Sequence, residues 1–319
     1  MPPGPVVLAC VPGLDAISLP HCDRGGVLEV LVHPYRSVLY MPGSKERALE
    51  KARGLAADAL ILDLEDAVAP AEKLNARDLV AAAVRAGGYG RRKLLVRTNG
   101  FDTEWGEADL AAAAAAGPDA VLVPKVERAA DIEKTAALLE AAGAPEHTRI
   151  WAMIETPRAL LNIGAIAASH PRLEGFVAGT NDLVKDLGAA HTPDRAPLIA
   201  ALGLTLLAAR AEGLVCVDGV YNAFQDDAGL RAVCVQGRDM GFDGKTLIHP
   251  AQLAVTNEVF APSEADIALA REQVAAFEAA EARGEGVAVV NGRIVENLHV
   301  VTARRLLAKA EAIAALAAG

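Results

Sequence analysis

The feature that most constrains this chain is a rhythm. From Pro34 onward eight short apolar runs recur, beginning near Ser37 (SVLYM), Ala59 (ALILDL), Leu94 (LLVR), Ala120 (AVLVPK), Ile150 (IWAMIE), Gly175 (GFVAG), Val215 (VCVDG) and Gly244 (GKTLIH). Each run is continuous rather than alternating, as in a parallel strand covered on both faces. Ala-rich segments with helical spacing separate them. Eightfold strand–helix alternation predicts an α/β fold, a (β/α)8 TIM barrel. A doubly wound sheet is the competing arrangement. It is disfavoured because Met41-Pro42-Gly43-Ser44, after the first run, is not the G-x-G-x-x-G of a dinucleotide fold.

Composition fits a barrel core. Of 319 residues 52% are apolar and only 4% aromatic, so Val, Leu, Ile and Ala must fill the interior. The net charge of −10 and the lack of a basic stripe argue against nucleic acid as a partner. No apolar run approaches the ~18 residues of a membrane span. Four cysteines, Cys10, Cys22, Cys216 and Cys234, have neither disulfide nor zinc-site spacing, which points to a reducing cytoplasm. Cys216 and Cys234 read as core residues.

Three regions follow. Residues 1–33 are rich in Pro and Gly, have no clear period, make a poor signal peptide and read as a poorly ordered extension. Residues 34–262 carry the barrel. Residues 263–319 read as a helix–hairpin–helix appendage, a lid or oligomerisation module. Ser263 and Asp266 resemble a capping box, Ile267, Ala270, Val274 and Phe277 share one helix face, Asn291-Gly292 marks a hairpin, and a last helix runs from about His299 to Ala317.

Barrel chemistry sits where strands end at their C-terminal side. There the sequence delivers Asp63-Leu64-Glu65-Asp66, Arg97, Lys125, Glu155, Asp182, Asp218 and, on the last run, Lys245 before His249. Helix capping alone favours Ser, Thr and Asn, not Arg97, Lys125 and Glu155. Glu155 and Asp182, from adjacent runs, suit Mg2+, or Mn2+ in its place. The competing reading makes Asp182 a helix N-cap and pairs Glu155 with Arg158 or Lys125. Arg97 can bind a carboxylate or stabilise an enolate oxygen, or form a salt bridge to Asp63 or Glu65, or do both. Pro42-Gly43-Ser44, with Lys45 and Arg47, is either a phosphate seat or a helix start with surface charges.

The segments RSVLYMPGS, LILDLEDAVAPAEK, VRTNGFDTEWGEADL, VPKVE, MIETPRALLN, GTNDLVKDLG and GFDGKTLIHPAQL, in that order, resemble the citrate lyase β-subunit-like (CitE-like) family of CoA-ester lyases. The likeness runs from Tyr35 to the C-terminus. CVDGVYNAF, QGRDMGFDGKTLIHP and GRIVENLHVVTAR draw it toward the malyl-CoA thioesterases, with malyl-CoA, β-methylmalyl-CoA and citramalyl-CoA lyases as close cousins. The resemblance implies a Mg2+-dependent barrel acting on an acyl-CoA, a homotrimer or homohexamer, with glyoxylate- or malate-type small molecules as the other partners. It implies that Glu155 and Asp182 hold the metal and that Arg97 contacts the reacting carbonyl or carboxylate. Asp63, Glu65 and Asp66 would order Arg97 and the metal waters. Pro42, Gly43, Ser44, Arg47 and Lys73 would lie near the CoA phosphates.

The first expectation from this likeness is carbon–carbon lysis of a 3-hydroxyacyl-CoA such as malyl-CoA, giving glyoxylate and acetyl-CoA. The alternative is (3S)-malyl-CoA thioesterase activity, giving malate and CoA. A citrate lyase β subunit or a non-catalytic CoA-binding subunit stands further off. One departure bears on the choice. Family lyases carry an Asp in the C-terminal lid that serves a neighbouring subunit's site as acid or base. Here the matching segment is Ile294-Val295-Glu296, one methylene longer. A displacement of ~1 Å in a proton-transfer group costs about 100-fold, so Glu296 fits a shift toward hydrolysis.

Overall fold

In the computed structural model the described residues are 33–318. The extension expected over residues 1–33 lies, but for His33, outside them. The eight apolar runs form eight parallel strands: β1 (Ser37–Pro42), β2 (Ala59–Asp63), β3 (Lys93–Arg97), β4 (Ala120–Val123), β5 (Arg149–Ile154), β6 (Leu173–Ala178), β7 (Val215–Asp218) and β8 (Gly244–Leu247). They pair in chain order and close into a barrel, β8 returning to β1. The helices are α1 (Glu46–Ala52), α2 (Lys73–Ala86), α3 (Gly106–Ala116), α4 (Ala129–Ala141), α5 (Pro157–Leu161), α6 (Ile163–Ala167), α7 (Thr180–Leu187), α8 (Ile199–Ala211), α9 (Asp227–Met240) and α10 (Leu253–Phe260). Among the described residues no helix is long and apolar enough to cross a membrane.

Side chains alternate across a strand, and here both faces are buried. Leu60, Leu62, Leu94, Val96, Val121, Val123 and Cys216 pack outward against the helices. Val38, Ile61, Leu95, Leu122, Trp151, Val177 and Val217 fill the interior. Continuous apolar runs follow directly from this two-sided burial. The rings of Tyr35 and Trp151, 5.0 Å apart, plug the lower end, and Trp151 Nε1 donates to Glu174 at 2.8 Å. Cys216 and Cys234 are buried free thiols, as their apolar surroundings predict.

Beyond the barrel, α11 (Glu264–Glu281) starts at the predicted box: Asp266 N–H donates to Ser263 Oγ at 3.1 Å, and Ser263 N–H donates to Asp266 Oδ2 at 3.3 Å. The hairpin β9 (Ala288–Val290) and β10 (Arg293–Val295) turns through Asn291 and Gly292, both at positive φ (50° and 73°) as a tight hairpin turn requires. Phe277, Ala280, Val290, Val295 and Val300 give these elements a small core of their own. The last helix, α12 (Asn297–Ala317), begins two residues before the expected start.

Closure depends on a tight seam. β8 meets β1 with Ser37 opposite Lys245 and Val38 opposite Thr246. Arg36, just before β1, grips the buried Asp58 carboxylate with Nε and Nη2 at 2.9 and 2.8 Å. A Cβ on Gly244 would lie 1.8 Å from the Tyr35 carbonyl oxygen, a backbone atom that cannot swing aside. Gly244→Ala should therefore lower unfolding free energy by about 3 kcal/mol, the upper end of overpacking costs. Urea denaturation checks this; a loss under about 1 kcal/mol would show that the seam shifts freely.

Candidate active site

The interior phase of each strand decides what reaches the mouth. Two residues beyond Val38, Ile61, Leu95 and Met153, on the same side of the strand, stand Tyr40, Asp63, Arg97 and Glu155. All four line one cavity of about 420 Å3 at the C-terminal rim, together with Asp66, Met153, Thr180, Asn181, Asp182 and Ile248. The sequence pattern gives this cavity the place where barrel chemistry sits.

Asp63 and Arg97 are direct partners in the β2–β3 register. The guanidinium meets the carboxylate in a two-pronged pair, Nε to Oδ1 and Nη2 to Oδ2, both 2.6 Å. Both side chains are almost wholly buried. Asp63 also accepts the N–H groups of Glu65 and Ala67, at 2.9 and 3.0 Å. Its four acceptor directions are therefore taken. The Tyr40 ring lies under the guanidinium, 4.8 Å from its carbon, and this stack was not foreseen. Arg97 Nη1, the end not bound to Asp63, lies 2.7 Å from Glu65 Oε2 and 3.3 Å from Asp66 Oδ2. The contact with Glu65 is close but not aligned as a hydrogen bond.

Burial dominates Glu65 and raises its carboxyl to about 8, against the downward pull of Arg97. The short Nη1 distance alone suggests an ionised partner. The neutral form fits better, because Asp63 already compensates the guanidinium and the Glu65 oxygen gains no hydrogen bond from it.

Across the mouth stand Glu155 and Asp182. Asp182 is the third residue of α7, and the residue capping that helix is Gly179, without a side-chain cap bond. The N-cap reading of Asp182 therefore fails. The Lys125 reading of Glu155 holds: Glu155 Oε1 accepts the Lys125 backbone N–H at 2.7 Å. The Lys125 ammonium sits 3.5 Å from Glu155 Oε1 and 3.0 Å from Asp182 Oδ1. Gly179 lets the carboxylate through, since a Cβ there would fall 2.2 Å from Glu155 Cβ. Burial lifts the Glu155 carboxyl above its usual range despite Lys125. For Asp182 burial pushes the same way, but the Lys125 hydrogen bond and charge win and lower it. Two hard oxygen donors, Glu155 just after β5 and Asp182 in the first turn of the helix after β6, drawn to one cation, fit an ion such as Mg2+ that keeps water or substrate oxygens in its remaining positions. Among the described residues no cluster of three or more His, Cys, Asp or Glu offers a closed metal cage.

Lys125 holds its position at φ +53°, left-handed backbone that a lysine rarely adopts. Such strain costs on the order of 1–3 kcal/mol and gathers at functional sites. From sequence Lys125 stood at a strand end as one of two possible partners of Glu155; its contact with Asp182 was not foreseen.

Several expected positions are corrected. Lys73 does not face phosphates: its buried ammonium donates to Leu64 O, Glu65 O and Asn99 Oδ1 at 2.7–2.8 Å, which uses all three donors. Gly43 offers no free N–H to a phosphate, because that group donates to Asp63 O at 2.9 Å. Pro42 lines the cavity, Ser44 is half-buried, and Arg47 stands exposed on the short α1. Asp218 and Lys245 do not reach the mouth. They lie on the outward phase of β7 and β8, joined at 3.0 Å and backed by Arg195 at 2.7 Å. Glu296 immediately precedes α12, is exposed, and is not among the residues lining its own chain's cavity.

Comparison with known proteins identifies the family. The profile of the HpcH/HpaI aldolase/citrate lyase family matches residues 36–250, and the chain belongs to that family. It is 65% identical over 286 residues to a (3S)-malyl-CoA thioesterase of Cereibacter sphaeroides, covering 90% of this chain and 98% of that one. It is 36% identical over 308 residues to an L-malyl-CoA/beta-methylmalyl-CoA lyase of the same species, covering 88% and 96%. Among solved structures it resembles CitE from Mycobacterium tuberculosis in complex with magnesium, acetoacetate and coenzyme A. That match has a TM-score of 0.70 and 30% identity over 86% of this chain and 97% of that one. The chain is thus an enzyme of the CoA-ester lyase and thioesterase kind.

Folding raises the Glu65 carboxyl from 4.5 to about 8. Between these values the folded protein holds a proton that the unfolded chain has released. Stability should therefore fall as pH rises through that window. Glu65→Gln should flatten this slope, read by urea unfolding between about pH 5 and about pH 8. An unchanged slope would rule out a neutral Glu65.

Proposed function

We propose that the protein is a Mg2+-dependent (3S)-malyl-CoA thioesterase, releasing malate and CoA. One observation carries this: 65% identity across nearly the whole of a thioesterase, against 36% to a lyase on the same scaffold. It favours hydrolysis over the carbon–carbon lysis that the family resemblance put first.

Glu155 and Asp182 would hold the ion, and Glu155, Asp182 and Arg97 all face one cavity. When bound, the ion supplies Lewis-acid polarisation and an anchor for oxygens of the malyl group. Asp63 fixes Nε and Nη2 of Arg97, and Nη1, which donates to the exposed Asp66 carboxylate at 3.3 Å, is the end that a substrate oxygen would take over. It offsets the negative charge that develops on the thioester oxygen as water adds. Loss of such a donor costs about 100- to 1,000-fold in turnover. Asp63 acts through Arg97 as a positioning residue. Burial raises the Glu65 carboxyl beside Nη1 to about 8, so the negative charge at that end of the guanidinium comes from Asp66.

Lys45, which caps α1, and Arg47 on its first turn are exposed beside the Pro42 segment and would be cations for CoA phosphates. Glu296 would come from the lid of a neighbouring chain in a homotrimer or homohexamer. It takes the proton of the attacking water and returns it as the C–S bond breaks and the CoA thiolate leaves. The same anchoring would serve carbon–carbon lysis, in which Glu296 instead protonates the enolate carbon of acetyl-CoA.

Glu155→Gln and Asp182→Asn should each remove Mg2+-dependent turnover, by about 1,000-fold or more if the ion polarises the reacting carbonyl. Malyl-CoA incubated with Mg2+ or with EDTA, scored by mass spectrometry, should give malate and CoA only with Mg2+. Glyoxylate with acetyl-CoA as the main products would overturn the hydrolytic reading. Glu296→Asp should raise the share of glyoxylate; an unchanged product ratio would remove lid reach as the cause of hydrolysis.

A further inference from the structure

We infer that Lys125 is a resident counter-cation of the ion site: its ammonium occupies the space between Glu155 and Asp182 and must leave when a divalent ion enters. This rests on the assignment of Glu155 and Asp182 as ion ligands. Three observations carry it. The ammonium reaches both carboxylates at once, at 3.5 and 3.0 Å. A positive φ at Lys125 points the chain back toward the site, and its own N–H binds Glu155 Oε1. The side chain is also two-fifths exposed, so it has a way out.

The exit carries more acid than base. Lys125 lines a second cavity, about 500 Å3, among residues that follow β3, β4 and β5. Asp102, Glu127 and Asp131 line it with one cation, Arg128, and no carboxylate of the ion site does. Asp131 is held by the N–H groups of Glu127 and Arg128, so Asp102 and Glu127 are the acids a displaced ammonium can turn toward without crossing the substrate cavity. In the ion-free protein Lys125 keeps two carboxylates from facing each other uncompensated. In the ion-bound protein it is a neighbouring positive charge that weakens the ion's hold. Its presence tunes affinity downward, so that the ion binds best when an anionic substrate arrives with it.

The test is Mg2+ titration of the full-length, EDTA-dialysed protein by isothermal calorimetry, without substrate. Lys125→Met should bind Mg2+ about tenfold tighter than the unmodified chain, and Lys125→Arg, which keeps the charge, should stay close to it. Equal or weaker binding by Lys125→Met would overturn the inference. Should that variant prove too unstable for calorimetry, a second measurement on the unmodified chain decides. Saturating Mg2+ should increase labelling of Lys125 by an amine-reactive ester, mapped by mass spectrometry, and unchanged labelling would overturn the displacement. If Glu155→Gln binds Mg2+ as tightly as the unmodified chain, the ligand assignment itself falls, and the inference with it.

Discussion

The mouth of this barrel is organised by one buried ion pair. Parallel register sets Asp63 beside Arg97, and the strand phase turns both inward, so carboxylate and guanidinium meet with two 2.6 Å bonds. Removing one partner of such a pair costs about 3–5 kcal/mol, because the other is left charged and uncompensated in the interior. The pair does more than hold itself together. Asp63 also takes the N–H groups of Glu65 and Ala67, so the same carboxylate shapes the turn that brings Glu65 and Asp66 to the rim. Lys73 closes that turn from behind, through Leu64 O and Glu65 O. Glu65 lies beside the same guanidinium, and burial raises its carboxyl to about 8 against that downward pull.

Much of this was legible because the relevant signals are short-range. A strand buried on both sides must be apolar throughout, so eight continuous runs announced eight strands and placed their ends within a residue or two. The Asn291-Gly292 turn and the Ser263 box were visible for the same reason, since each turn chemistry is local. What stayed hidden was phase. An ionisable residue at a strand end faces the mouth or the helices according to one step of alternation. Asp218 and Lys245 are one step off the interior residue Val217 and its neighbours, so they were grouped with the rim and proved to lie behind the sheet. Counting back by two from Asp63, Arg97 and Glu155 to Ile61, Leu95 and Met153 would have separated the groups and pointed to Tyr40 as well. Lys73 and Gly43 were misplaced for a different reason. A lysine or a glycine beside a cleft looks available to phosphate, and only the three-dimensional partners show the ammonium saturated and the N–H taken.

Hydrolysis and carbon–carbon lysis begin from one bound arrangement, which is why the barrel itself discriminates so little between them. Everything that would grip a malyl group, the Glu155 and Asp182 carboxylates and the Arg97 guanidinium, serves both outcomes. The difference falls on the group that moves a proton, and in this chain that candidate is Glu296. It stands at the start of α12, beyond the cavity lining of its own chain, and its backbone N–H is bound by His299 Nδ1 at 3.0 Å. A longer side chain on a lid places its carboxylate differently relative to a carbon than to a water. On the proposed function, specificity of outcome would be a property of the appendage, and specificity of binding a property of the barrel.

Charge balance ties the two sides of the mouth together. Asp63, Asp66, Glu155 and Asp182 are four carboxylates facing the cavity, and Arg97, Lys125 and, 3.8 Å from Asp182, the exposed Lys185 are the cations within contact of them. These carboxylates outnumber the cations beside them, so the cluster favours a further positive charge. Burial has already lifted Glu155 above the ordinary carboxylate range, the mark of a site that resists holding that much negative charge alone. Lys125 supplies a partial answer at the cost of a strained backbone. A monovalent ammonium at 3.0 and 3.5 Å cannot match a divalent ion in direct contact with the same oxygens. The backbone strain at Lys125 sets its ammonium between Glu155 and Asp182, and on the proposed assignment of these two as ion ligands it would keep them compensated until an ion arrives.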